Sequence, residues 1–153
     1  MNILFASSEA VPFAVSGGLA EVAGALPKAL KAKGEDVRVI LPLYGSVTEE
    51  QRAEMKYLLN FDVAVAWRRQ YCGVFEAKAD GVTYYLLDNE YYFKRSGLYG
   101  YYDDAERFAF FSRAVLDTVK HLEELDGFKP DIIHCNDWQT ALIPVYYNCF
   151  YRD

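Results

Sequence analysis

Residues 15–30 read VSGGLAEVAGALPKAL. They follow a continuous apolar run, 2-NILFAS-7, across a loop broken by Pro12. An unbroken apolar run of this length fits a strand buried on both faces of a parallel sheet. From Leu19 the apolar residues fall at 19, 22, 23, 26 and 30, which is one face of a helix. Pro27 lies inside that run and is expected to kink it, because proline lacks the backbone donor. Gly34 stops the helix, and Lys31 and Lys33 suit the negative end of its dipole. The next apolar run, 36-DVRVILPL-43, is a second strand. A strand–loop–helix–strand unit places its strands parallel with a right-handed crossover. The expected class is therefore α/β, with a mainly parallel sheet and flanking helices.

The middle of the chain departs from that rhythm. Residues 47–57 read as a short helix. Then 58-YLLNFDVAVAW-67, 71-YCGVFEA-77 and 82-VTYYLLD-88 read as three strands joined by short turns, one at Asp80-Gly81. Short connections predict an antiparallel meander. A Tyr- and Gly-rich loop follows, 89-NEYYFKRSGLYGYY-102. Asp103 is expected to cap a long helix, with Glu106 as its capping-box partner. Phe108, Phe111, Val115, Val119 and Leu122 line the face predicted to be buried. Gly127 and Pro130 mark its exit. Residues 131-DIIHC-135 read as another buried strand, and Asn136 or Asp137 as the cap of a last helix, 138-WQTALIPVYYNCF-150. No closing strand follows, so the chain is expected to be part of something larger.

The sequence has 153 residues, about one domain. Apolar residues make up 52%, which excludes a disordered chain. A net charge of -6 argues against nucleic acid and anionic membrane surfaces as partners. No apolar run is long enough to span a bilayer, and the N-terminus lacks the basic stretch of a signal peptide. Cys72, Cys135 and Cys149 are an odd number without metal-ligand spacing, so free thiols in a reducing cytoplasm are expected. The 13 tyrosines fit core and sheet, or a ring-stacking surface.

Three motifs bear on function. Gly17-Gly18 sits between a parallel strand and the N-terminus of its helix, where open α/β sheets bind ligands and free N–H groups favour an anion. A tight turn with no ligand is the other reading, since neither G-x-G-x-x-G nor a Walker lysine is present. The second motif is 134-HCNDWQT-140, again at the carboxyl end of a strand. Helix capping explains Asn136 or Asp137, and packing explains Trp138. Neither explains so many polar side chains at a strand end, where they need hydrogen bonds or a cleft. With only two histidines in the chain, zinc is not expected and no metal site is assigned. The third is 99-YGYYDDAERF-108, where Asp104 reads as a dipole partner and Asp103 stays open. Tyr91, Tyr92, Tyr99, Tyr101 and Tyr102 form either a sugar-stacking rim or an anchor for their loop.

Together these segments resemble one family. Residues 3–30, 36–45, 88–116 and 131–147 are similar to bacterial glycogen synthases and plant starch synthases. The resemblance implies the N-terminal half of a two-domain GT-B glycosyltransferase, with two Rossmann-like domains facing a cleft. It implies retaining transfer of glucose from ADP-glucose to the non-reducing end of an α-1,4-glucan, with no cofactor and no metal. The partners are then a nucleotide sugar, the glucan and a C-terminal nucleotide-sugar domain absent from this chain. The fragment alone is expected to be inactive. A non-catalytic glucan-binding or assembly module derived from the same fold is the alternative.

The resemblance also implies site residues. Gly17 and Gly18 match the glycine loop that approaches the diphosphate, so the pair would serve both the turn and the close approach. Ser16, Glu9 and Glu21 lie in or beside that loop as substrate-binding residues. Asn136 and Asp137 line the sugar pocket, and His134 and Asp103 are the catalytic candidates. The sequence departs from the family in two places. The loop is commonly Lys-Thr-Gly-Gly-Leu, whereas this chain has Val15-Ser16. A charge-assisted contact worth about 1.5–3 kcal/mol is thereby missing. Many relatives carry His where this chain has Asn136 and Gln139.

Overall fold

The computed structural model describes residues 1–152. The first apolar run forms strand β1 (Asn2–Ala6), and Leu4, Phe5 and Ala6 are fully buried. Helix α1 (Gly18–Ala32) and strand β2 (Asp36–Pro42) complete the opening unit. The chain continues through helix α2 (Glu49–Ala53) and strands β3 (Lys56–Val65), β4 (Arg68–Ala79) and β5 (Val82–Asp88). Helix α3 (Glu90–Phe93), helix α4 (Asp104–Asp126), strand β6 (Ile132–Cys135) and helix α5 (Leu142–Tyr146) follow.

The strands form one six-stranded sheet in the order β3-β4-β5-β2-β1-β6. β1 pairs parallel with β2 and β6, and β2 pairs parallel with β5. β3, β4 and β5 form the antiparallel meander. The mixed α/β class, the parallel opening unit and the meander therefore stand as expected. The crossover through α1 runs from β1 toward β2, and the one through α4 runs from β5 back across to β6. Right-handed connections of opposite direction put the two helices on opposite faces. Apolar side chains of both faces make one core, from Leu4 and Phe5 through Val39 and Leu86 to Phe111 and Val115. No helix among the described residues is long and apolar enough to cross a membrane.

α1 continues through Pro27, which is buried among its core-facing residues. Several expectations are corrected by tertiary contacts. Part of the tyrosine-rich loop is helical, because Asn89 Oδ1 accepts from the Tyr92 amide and starts α3. The capping box at Asp103 and Glu106 does not form. Arg95 holds Asp103, and the hydroxyl of Tyr92 donates to Glu106. Val119 is only partly buried. β6 was expected to be a buried strand, yet among the described residues it pairs on one side only and Ile132 is 46% exposed. The last helix is broken into a 3-10 turn (Trp138–Thr140), α5 and a π turn (Tyr147–Tyr151). Pro144 has no amide to give the carbonyl of Thr140, and the Thr140 hydroxyl donates back to the carbonyl of Asn136, so the turn stays tight.

Candidate functional site

The sense of the crossovers reverses at β1, so the carboxyl ends of β1 and β6 form the switch point where α/β sheets bind ligands. Two loops leave the sheet there: the one into α1 and the one into the 3-10 turn. The Asn136 side chain donates to the carbonyls of Ala6 (2.9 Å) and His134 (3.2 Å) and so stitches the two strand ends together.

The loop into α1 is built around Glu9, which is 2% exposed. Its Oε1 accepts from the amides of Gly17 (3.1 Å), Ala20 (3.2 Å) and Ser16 (3.4 Å). Its Oε2 accepts from the hydroxyls of Ser16 and Tyr99, both at 2.6 Å. Burial pushes the carboxyl pKa up, but the hydrogen bonds from Ser16, Tyr99 and the backbone outweigh it and leave it below its ordinary value. Glu9 is thus a built-in anion at the positive end of α1. The amides of Gly18 and Leu19 have no partner among the described residues.

The glycines are not needed by the turn itself. Gly17 has an extended backbone (φ -169°), and a Cβ added at Gly17 or Gly18 would meet nothing within 4 Å. The pair is therefore not required for the turn, contrary to expectation: what it leaves is open space beside two free amides. Gly45 is the opposite case, since a Cβ there would lie 2.9 Å from the carbonyl oxygen of Arg95.

At the end of β6, His134 lies in register with Phe5, and their rings sit 4.7 Å apart. Asp137 has φ 64° and ψ -176°, a region that only glycine adopts without strain, and its carboxylate accepts from the Trp138 amide at 2.8 Å. Asp137 and Trp138 are both exposed. Trp138 stands edge-on against Phe108, which in turn packs near Tyr99.

Residues 94–102 form a strap beside the glycine loop. Asp103 receives a two-pronged contact from Arg95 (2.6 and 2.8 Å), and this guanidinium holds the carboxyl below its usual range. Arg107, fully buried, donates to the carbonyls of Tyr92 and Leu98 and to Asp104. The strap carries Tyr99 to Glu9 and Ser8. Burial, then the bond to Glu9, raises the Tyr99 pKa, so it stays a hydrogen-bond donor. A cleft of about 400 Å³ lies between strap and loop, lined by Ser16, Ser46, Ser96 and Tyr99 among others.

Of the residues singled out from sequence, Glu9, Ser16 and Gly17 are in direct contact, and Gly18 adjoins them. His134, Asn136 and Asp137 lie in succession at the neighbouring strand end. Glu21 does not join either group; it is exposed and borders a separate depression with Lys28 and Asp80. Asp103 is engaged by Arg95. Sequence reading missed Tyr99 as the partner of Glu9, and Arg95 as a tie of the strap; the pairing of Arg107 with one of the two acids, read from their spacing, is made to Asp104. Tyr99 stands 90 residues from Glu9, so no local spacing signals the pair.

The model of the starch synthase catalytic domain family matches residues 2–153. The chain belongs to this family. A glycogen synthase of Clostridium botulinum (strain Alaska E43 / Type E3) is 59% identical over 145 residues, covering 95% of this chain and 30% of that protein. A glycogen synthase of Caldicellulosiruptor saccharolyticus is 55% identical over 151 residues, covering 99% of this chain and 31% of the relative. Among solved structures, the catalytic domain of Starch Synthase IV from Arabidopsis thaliana, bound to ADP and acarbose, superposes with a TM-score of 0.85. It is 32% identical and covers 98% of this chain, which spans 30% of that one. The chain thus spans about 30% of the length of the relatives it matches. Its sheet is of the GT-B glycosyltransferase type.

Proposed function

We propose that this chain is the N-terminal part of a longer retaining glucosyltransferase that moves glucose from ADP-glucose to the non-reducing end of an α-1,4-glucan. The observation that carries the reading is the open space over Gly17 and Gly18, beside the free amides of Gly18 and Leu19, at the switch point of a starch-synthase-type sheet. Those amides and the α1 dipole are suited to the diphosphate leaving group, whose charge grows as the sugar becomes oxocarbenium-like. In this reading Glu9 and Ser16 hold the loop, and Glu9 does not touch the phosphates. His134, Asn136 and Asp137 face the sugar, Asp103 holds the strap through Arg95, and Glu21 stays peripheral. The relatives' names and the ADP and acarbose bound to the starch synthase support these ligand classes. A second domain supplies the opposite wall of the cleft and excludes water on closure, and the setting is cytoplasmic.

The test is transfer of labelled glucose into glycogen by the full-length protein. Incorporation from ADP-glucose, with none from residues 1–153 alone, is the expected result. Glycogen binding without transfer from any nucleotide sugar would instead support the non-catalytic module, the reading that Val15 in place of the family's lysine favours.

A further inference from the structure

The meander contains two hairpin turns of unlike quality. The β4–β5 turn is Asp80-Gly81, with φ 51° and 78°, which is the residue pair such a turn favours. The β3–β4 turn is Ala66-Trp67, with Ala66 at φ 51°, a conformation that asparagine or glycine takes at lower cost. Trp67 at this tip is 84% exposed, although tryptophan is usually well buried. The turn is poor as a turn and places a large flat ring in solvent.

The ring does not stand alone. The Arg68 guanidinium lies 5.9 Å from the Trp67 ring and 5.8 Å from the Tyr91 ring, and its Nε is 3.4 Å from Glu106 Oε1. Tyr91 is 49% exposed, and its carbonyl accepts from Arg95, whose guanidinium lies 4.8 Å from the Tyr101 ring. Exposed rings and fixed guanidinium groups thus run from the hairpin tip to the strap that borders the glycine-loop cleft. The pairing register puts the tip on the same edge of the sheet. Gly73 of β4 is opposite Asp88, the last residue of β5, so Arg68 through Cys72 extend beyond the carboxyl end of the parallel strands. At the usual rise per residue that extension is about 17 Å.

We propose that Trp67, Arg68 and Tyr91 form a platform for a distal part of an α-glucan chain, separate from the cleft. A pyranose ring has an apolar face of C–H bonds that stacks on an exposed aromatic ring, and hydroxyls at its edge that accept from a guanidinium. The proposal rests on the glucan-binding reading above. It adds a second, remote contact that only long acceptors reach.

The experiment compares the full-length protein with its Trp67→Ala and Ala66→Asn variants, using glycogen and maltotriose as separate probes. Trp67→Ala is expected to weaken glycogen binding about three- to tenfold, the worth of one aromatic contact, and to leave maltotriose extension unchanged. Ala66→Asn is expected to change neither, while raising the melting temperature. Unchanged glycogen affinity in Trp67→Ala overturns the platform and leaves the proposed function standing. An equal loss for both probes also overturns it, as does a change in oligomeric size without a change in glycogen binding. A wild-type protein that binds neither probe overturns the glucan reading itself.

Discussion

The loop after β1 and the loop after β6 sit side by side, joined by the Asn136 side chain, yet they treat their acidic residues in opposite ways. In the first, the Glu9 carboxylate is buried and both its oxygens are bound within the chain. In the second, Asp137 is exposed, makes one local bond to the next amide, and sits in a strained backbone region. A charge bound on all sides maintains a shape. A charge left exposed at a strained position is available to something outside the chain. The comparison therefore divides the acids by role, which their proximity to the site does not.

The sharpest way to break this division is Glu9→Ala. It strands the Gly17 amide and removes the carboxylate that also binds the Ala20 amide and the Tyr99 and Ser16 hydroxyls, so a loss of roughly 3 kcal/mol is expected in chemical denaturation. A loss under 1 kcal/mol would place Glu9 with Asp137. Asn136→Ala removes the stitch to Ala6 and is expected to cost about 1–2 kcal/mol by the same measurement. Asp137→Gly relieves the backbone and is expected to stabilise the chain by about 1 kcal/mol. In the full-length protein it should nonetheless lower glucosyl transfer; equal stability and activity gains would show that the strained acid serves no ligand. Val15→Lys alters an exposed position, so its effect on stability should stay within about 0.5 kcal/mol. The same change should tighten ADP-glucose binding by the full-length protein about tenfold.

The pH dependence sharpens the same contrast. Glu9 is held below its ordinary pKa, despite the opposing effect of burial, by its hydrogen bonds. Its contribution is therefore full above the unfolded value of about 4.3 and is lost as pH falls through the lower folded value. The stability gap between wild type and Glu9→Gln should be constant near neutrality and close below about pH 4. A gap that persists to the lowest pH would mean that the carboxylate charge does not hold the loop.

Much of the fold was legible because its signals are local. The apolar run at 2–7, the helical spacing after Leu19 and the Asp80-Gly81 turn each depend on neighbours a few residues apart. The Ala66-Trp67 turn was not legible, since neither residue favours a turn. The capping box at Asp103 was read where Arg95 and Arg68 compete for its acids, and the last helix was read through Pro144. In the site, the glycine loop and the strand-end polar cluster were visible as motifs. The bond from Tyr99 to Glu9 was not, because it crosses 90 residues.

The sequence by itself determined the alternation of strand and helix, the order of the motifs and hence the family, because periodicity and turn chemistry act over short spans. Only the tertiary structure decided which acid is an internal brace and which is exposed. That distinction depends on hydrogen-bond partners brought together from distant elements, and a carboxylate carries no mark of them in its own neighbourhood along the chain.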